Sequence, residues 1–224
     1  MEAKLRLLFL GFFLYSISLS GQQILSQEAI AAARENNYQP ALQELNKAVE
    51  KNPQNEAALT QRANVLLRFK KFNEALIDAE KALKLNPQNT DAIFLAATSL
   101  ISQEKNIQAL QYLDSVLKIK PDFYQALQFR GKLHAKMNAP DLAIPDLDKV
   151  ISQNPKDLEA YLYRGRMHTR KIKFVDAMND FLFIINNAPA DSPLKDVAKL
   201  DFDKAHSEYE EYEKAGGPFF RLSQ

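Results

Sequence analysis

Three histidines and two acid pairs are the residues whose types and spacing could do chemistry. His134 and His168 stand 34 residues apart, with His206 further on. Two imidazoles at one recurring position could hold a metal ion or relay a proton. The rest of such machinery is missing. There is no His-x-x-x-His pair, no Gly-rich phosphate loop and no Gly-x-Ser-x-Gly elbow. Zero cysteine removes disulfides, zinc fingers, thiolate nucleophiles and Fe–S clusters together. Asp146 with Asp148, and Glu210 with Glu211, read as solvated helix faces. The expectation is a non-enzyme with no active site, no metal and no cofactor.

The elements that position these residues belong to a foldable chain. It has 224 residues, 46% hydrophobic and 25% charged, with 6 Gly and 10 Pro. A formal net charge of +1 provides no uniform field for nucleic acid or an anionic membrane. Lys4 and Arg6 precede an apolar run from Leu7 to Leu19, followed by small residues at Ser18, Ser20 and Gly21. This is the order of a secretory signal peptide, expected over residues 1–20, and the run is shorter than the roughly 20 residues a spanning helix needs. No stable membrane insertion is expected after cleavage. Loss of the leader takes one acid and two bases, leaving 27 of each sign.

Prolines fall at Pro53, Pro87, Pro121, Pro155 and Pro189, each 34 residues after the last. Ala41, Ala75, Ala109, Ala143 and Ala177 keep the same period, as do Ala29, Ala63, Ala97, Gly131 and Gly165. A third column holds Ala48, Ala82, Val116, Val150 and Ile184. Small residues at fixed offsets mark close helix contacts in a repeat array. In the fourth unit the spacing predicts one helix over 124–136 with Leu127, Gly131 and His134 on one face. A break near Met137 to Pro140 leads to a second helix carrying Ala143, Leu147 and Val150. The recurring proline is expected to open the next helix pair. Pro145, inside the second helix of that unit, predicts a late start or a kink.

The pattern resembles the tetratricopeptide repeat (TPR) family, a 34-residue helix-turn-helix unit with small residues at positions eight, twenty and twenty-seven and proline at thirty-two. The fifth unit carries it most fully, through Tyr161, Gly165, Phe174, Ala177, Phe181 and Pro189. The resemblance implies an all-α, right-handed solenoid of five repeats (22–55, 56–89, 90–123, 124–157, 158–191). A capping helix over 192–215 follows, with Val197, Leu200 and Phe202 covering the last repeat, and then a flexible tail over 216–224. It also gives His134 and His168 a packing role, at a position where TPR helices usually place an aromatic or aliphatic residue.

The resemblance further implies a concave face lined by the first helix of each pair. Its ninth, twelfth and thirteenth positions supply Arg34, Arg68, Lys132, Lys136, Arg166 and Arg170, with Asn64 among the ninth positions. Groove-side acids at the second position are Asp91 and Glu159, and Phe94, Leu162 and Ile30 add apolar spots. Such a face suits a protein or peptide partner that is acidic or ends in a free C-terminal carboxylate. The two-carboxylate clamp of chaperone-binding TPR domains is incomplete, because the fifth positions are Ser26, Thr60, Phe94, Gln128 and Leu162. The stretch AIPDLDKVI is similar to the TPR part of endoplasmic-reticulum co-chaperones, without their His-Pro-Asp motif. The leader and the Gln22-Gln23 that follows resemble exported envelope proteins. The expected function is a monomeric adaptor, scaffold or assembly factor in the periplasm or outside the cell. A lumenal client holder and a self-assembling structural protein are the alternatives.

Overall fold

The computed structural model describes residues 24–217. They form two compact units, one ending at Pro121 and one beginning at Asp122. The first contains α1 (Gln27–Arg34), α2 (Gln39–Lys51), α3 (Glu56–Arg68), α4 (Phe72–Leu85), α5 (Thr90–Ser102) and α6 (Asn106–Ile119). The second contains α7 (Tyr124–Lys136), α8 (Pro140–Gln153), α9 (Leu158–Arg170), α10 (Phe174–Asn187) and α11 (Pro193–Lys214). No described residue lies in a strand. No helix among the described residues is long and apolar enough to cross a membrane. The expected leader over 1–20 lies outside the described residues, as does the tail from Pro218 onward.

The 34-residue period is written into the backbone at the turn inside each pair. Asn36, Lys70, Glu104, Asn138 and Ile172 all take positive φ, between 55° and 64°. The next residue's N–H then donates back five residues, from Asn37 to Ala32, Lys71 to Leu66, Lys105 to Leu100, Ala139 to His134 and Lys173 to His168. This Schellman closure satisfies orphan carbonyls of the first helix and reverses the chain.

A second periodic device starts the first helices. Asn55, Asn89 and Asp157 accept side-chain hydrogen bonds from the backbone N–H of Ala58, Ala92 and Ala160. Ser26 does the same for Ala29 and is itself fixed by Glu44. Such N-caps contribute about 1 kcal/mol each. The recurring prolines do not open helices, contrary to the sequence expectation. Pro53, Pro87 and Pro155 lie in the connections, where Asn52, Asn86 and Asn154 accept from the N–H two residues on. Proline there stops the preceding helix while the Asx turn directs the chain to the next cap. Nor does α8 start late. It runs from Pro140, with Pro145 inside it.

The small-residue columns are the seams. Ala41, Ala75, Ala109, Ala143 and Ala177 are fully buried, as are Ala29, Ala63 and Ala97. At Gly165 a Cβ would lie 2.7 Å from the Phe181 ring, and at Gly131 it would lie 3.1 Å from Leu147. In the second unit α9, α10 and α11 share a core of Leu162, Ala177, Phe181, Ile184, Ala198 and Ala205, with Val197 and Phe202 packed against it. Leu200 does not join this cover. It is 70% exposed, because the cap turns Ala198 and Ala205 inward instead.

Across the seams runs a repeated ion pair that was not anticipated. Arg62 grips Asp78 with Nε–Oδ2 at 2.6 Å and Nη2–Oδ1 at 2.9 Å. Arg130 and Asp146 are paired at 2.8 Å through both Nε and Nη2. Arg164 holds Asp180 at 3.0 and 2.6 Å and also reaches Asp148 at 2.7 Å. Asp146, read from sequence as part of a solvated face, is only 5% exposed. Its burial is tolerable because the guanidinium fork satisfies both carboxylate oxygens.

Candidate binding face

The first-helix positions divide by unit. In the first unit Arg34 ends α1 and is exposed. Asn64 on α3 is fully buried, and neither side-chain amide atom has a hydrogen-bond partner among the described residues. Arg68 is half-buried with its guanidinium 5.4 Å from the centre of the Tyr38 ring, and burial pulls its pKa down to about 10. Phe94 is 2% exposed, so it packs inside α5's surroundings and offers no open apolar contact. Ile30 is buried too, in the cluster with Leu25, Ala33, Leu45 and Val65.

A polar cavity of about 310 Å³ in this unit was missed from sequence. Glu56, Thr60, Gln61, Asn89 and Asp91 line it. Glu56 accepts from the side-chain amides of Asn86 and Asn89. Burial pushes the Asp91 carboxyl above its ordinary range, against the pull of Lys120 and with a push from Glu56. Asn55 and Asn89, 34 residues apart and each the cap of a first helix, were the signal that could have found this contact, since Glu56 directly follows Asn55.

In the second unit two of the predicted cations are occupied. Lys132 Nζ lies 2.7 Å from Glu159 Oε2, and Arg166 Nε donates to Asp201 Oδ2 at 2.7 Å. Leu162 is buried in the α9–α10–α11 core. Lys136 and Arg170, each at the last residue of its helix, are exposed and have no ion-pair partner among the described residues. With Thr169, Asp201, Lys204 and Glu208 they line a cavity of about 490 Å³. Lys204 and Glu208 face each other at 3.9 Å and Arg166 is held by Asp201. The unbalanced charge at this cavity is therefore that of Lys136 and Arg170.

No group of three or more potential metal ligands occurs among the described residues. His168 is half-buried, and its Nδ1 has no hydrogen-bond partner among them. Burial holds its pKa below the ordinary 6.5, outweighing Asp180 and Asp176, while Arg164 and Lys173 push the same way as burial. A histidine depressed in the folded state contributes stability above its unfolded pKa, and that stability is lost as pH falls below 6.5 toward the folded value. Replacing His168 with Phe is therefore expected to reduce the loss of stability between pH 7 and pH 5. Denaturation midpoints at the two pH values check this; an unchanged difference would place the titration elsewhere.

Paired helices with Schellman turns, Asx-capped starts and small-residue seams on a 34-residue period define an all-α, TPR-type solenoid fold. The comparisons with known proteins agree. Residues 34–116 match the family model for the anaphase-promoting complex, cyclosome, subunit 3. No curated protein matches the chain. Among solved structures it is similar to YrrB, described as a TPR protein with an unusual peptide-binding site, at 24% identity and a TM-score of 0.65 over 84% of this chain and 97% of that one. A tetratricopeptide repeat protein from Parabacteroides merdae is 21% identical, with a TM-score of 0.65 over 92% of this chain and 80% of the other. MamA is 18% identical, with a TM-score of 0.60 over 85% and 99%.

Proposed function

We propose that this chain is a non-catalytic protein-interaction module, an adaptor or assembly factor, and that its second unit takes an acidic peptide segment. The observation that carries the reading is the cavity of about 490 Å³ with Lys136 and Arg170 at its wall, neither with an ion-pair partner among the described residues. Two exposed, unpaired cations at a concavity attract an anionic group without first breaking an internal pair. The peptide-binding site named for the similar YrrB supports the same class of function. The apolar run behind Lys4 and Arg6 supports delivery to an exported compartment, periplasmic or extracellular. N-terminal sequencing of the protein recovered from its native compartment checks that delivery, with a mature start near Gly21 or Gln22 as the expected result.

Lys136→Glu with Arg170→Glu is the test of the cavity. A fluorescein-labelled peptide of Glu and Asp with a free C-terminal carboxylate is expected to bind the native chain and to lose about tenfold or more in affinity for the double variant. The affinity should also fall with added salt. Both side chains are exposed and end their helices, so the helical signal should survive. Lys132→Glu and Arg166→Glu would be poorer probes, because each breaks a pair within the protein. Equal affinity of the native and doubly reversed chains for the peptide would remove this cavity as the site.

A further inference from the structure

We propose that the polar cavity of the first unit is a seat for a protonated primary amine, a lysine side chain or a free amino terminus of a partner protein. The cavity, of about 310 Å³, opens at the starts of α3 and α5. Glu56 and Asp91 bring two carboxylates to its wall, and the exposed Lys120 brings one ammonium. Glu56 accepts only from neutral groups, the side-chain amides of Asn86 and Asn89, and both bonds end on Oε1. Neither Glu56 nor Asp91 has an ion-pair partner among the described residues.

The chain carries its own template for what is missing. Two repeat periods further on, Tyr124, Gln128 and Asp157 hold the positions of Glu56, Thr60 and Asn89. The contacts correspond one by one. Asn89 donates to Glu56 and, at 3.1 Å, to Thr60 Oγ1, while Asp157 accepts from Tyr124 at 2.6 Å and from Gln128. One pair has no counterpart. In the second unit Glu159, the second residue of α9, takes Lys132 Nζ of α7 at 2.7 Å. The same two positions in the first unit are Asp91 on α5 and Asn64 on α3.

Asn64 has no charge to give. It is fully buried, and neither side-chain amide atom has a hydrogen-bond partner among the described residues. Lys132 shows where a side chain at this register points, toward the second residue of the next first helix. Asn64 is therefore aimed at the wall that Asp91 forms. Burial holds the Asp91 carboxyl above its ordinary range, and Lys120 pulls it down less than burial raises it. A carboxylate so placed gains most from a cation that enters with its own donors. A primary ammonium has three N–H donors, and Asp91, Glu56 Oε2 and Asn64 Oδ1 are acceptors from two helices. The ligand thus supplies from outside what Lys132 supplies within the second unit. This site is separate from the Lys136–Arg170 cavity and does not depend on what that cavity binds.

Fluorescence polarisation on the full chain at pH 7 tests this with three labelled Gly/Ser peptides. The first carries one lysine between blocked termini, the second a free amino terminus and an Nε-acetylated lysine, and the third is blocked at both places. The native chain is expected to bind the first or the second about tenfold or more tightly than the third, and the one it prefers names the source of the amine. Equal binding of all three would overturn the proposal. Asp91→Asn keeps the shape of a half-buried side chain, so it should fold, and it is expected to abolish the preference. A preference that survives Asp91→Asn would seat the amine elsewhere and overturn the proposal as well. Asn64→Lys provides an internal ammonium in the arrangement of Lys132 and Glu159, and the same loss is expected; undiminished amine binding by the folded variant would count as a third refutation.

Discussion

Replacing Arg164 with Met is expected to cost about 3–5 kcal/mol of unfolding free energy at pH 7. Arg164 covers a carboxylate, Asp180, that is 4% exposed and accepts from guanidinium Nε and Nη2. With the guanidinium gone, Asp180 is left ionised in the seam between α9 and α10 or must take up a proton. Burial already pushes the Asp180 carboxyl upward, and Arg164 is the main group pulling it down. The variant should therefore hold Asp180 further above its ordinary value than the native chain does. A carboxyl raised in the folded state is best tolerated at low pH, and the tolerance is lost as pH rises from the unfolded toward the folded value. The cost of Arg164→Met should accordingly be larger at pH 7 than at pH 4. Asp180→Ala should cost less than Arg164→Met, because Arg164 keeps Asp148 at 2.7 Å and is partly solvated. Adding Asp180→Leu to Arg164→Met should recover most of the loss, since a buried pair replaced by apolar side chains is often neutral. Urea unfolding of the native chain and the three variants checks this order of stabilities. A single-variant loss below about 1 kcal/mol would mean that the pair behaves like an exposed one.

Much of this architecture is legible in the sequence, and what is not has a common cause. The Ala and Gly columns report how closely two backbones approach, a property of the residue itself, and the α7 boundaries at Tyr124 and Lys136 follow from the same spacing. The Arg–Asp pairs are also periodic, at Arg62, Arg130 and Arg164 with Asp78, Asp146 and Asp180 sixteen residues on. Ala96 and Tyr112 interrupt the series in the third repeat, so Asp146 reads as a solvated acid until its partner is placed across the seam. The caps failed to register for a related reason: proline is the conspicuous letter in the connections, but Asn55, Asn89 and Asp157 do the capping. The binding face shows the sharpest limit. Repeat position assigns Asn64, Phe94 and Leu162 to a face, yet all three are buried, while Lys136 and Arg170 remain open. Position along a helix fixes direction; what lies in that direction depends on the neighbouring elements.

The seam at Gly165 yields the other large effect. Phe181→Ala is expected to cost about 3–5 kcal/mol, because Phe181 is 1% exposed and joins α9, α10 and the cap in one cluster. Gly165→Ala alone puts two effects in opposition. Alanine gains about 1 kcal/mol over glycine in a helix interior. Its Cβ, however, would stand 2.7 Å from Phe181 Cε1 and 3.0 Å from Cζ, and relieving such overpacking costs about 1–3 kcal/mol. The clash should win, leaving Gly165→Ala destabilised. At Gly131 the nearest atoms are Leu147 Cγ at 3.1 Å and Asp146 Cβ at 3.2 Å, so the two effects should nearly cancel and Gly131→Ala should be close to neutral. The decisive chain is Phe181→Leu with Gly165→Ala. Leucine withdraws the ring edge from the space the new methyl needs, so the alanine that harms the native background should help in this one. Denaturant unfolding of the two single variants and the double is expected to show a coupling of about 1–3 kcal/mol with that sign. Strict additivity would mean that the Phe181 ring shifts freely and that glycine at this column is set by something other than the approach of α9 to α10.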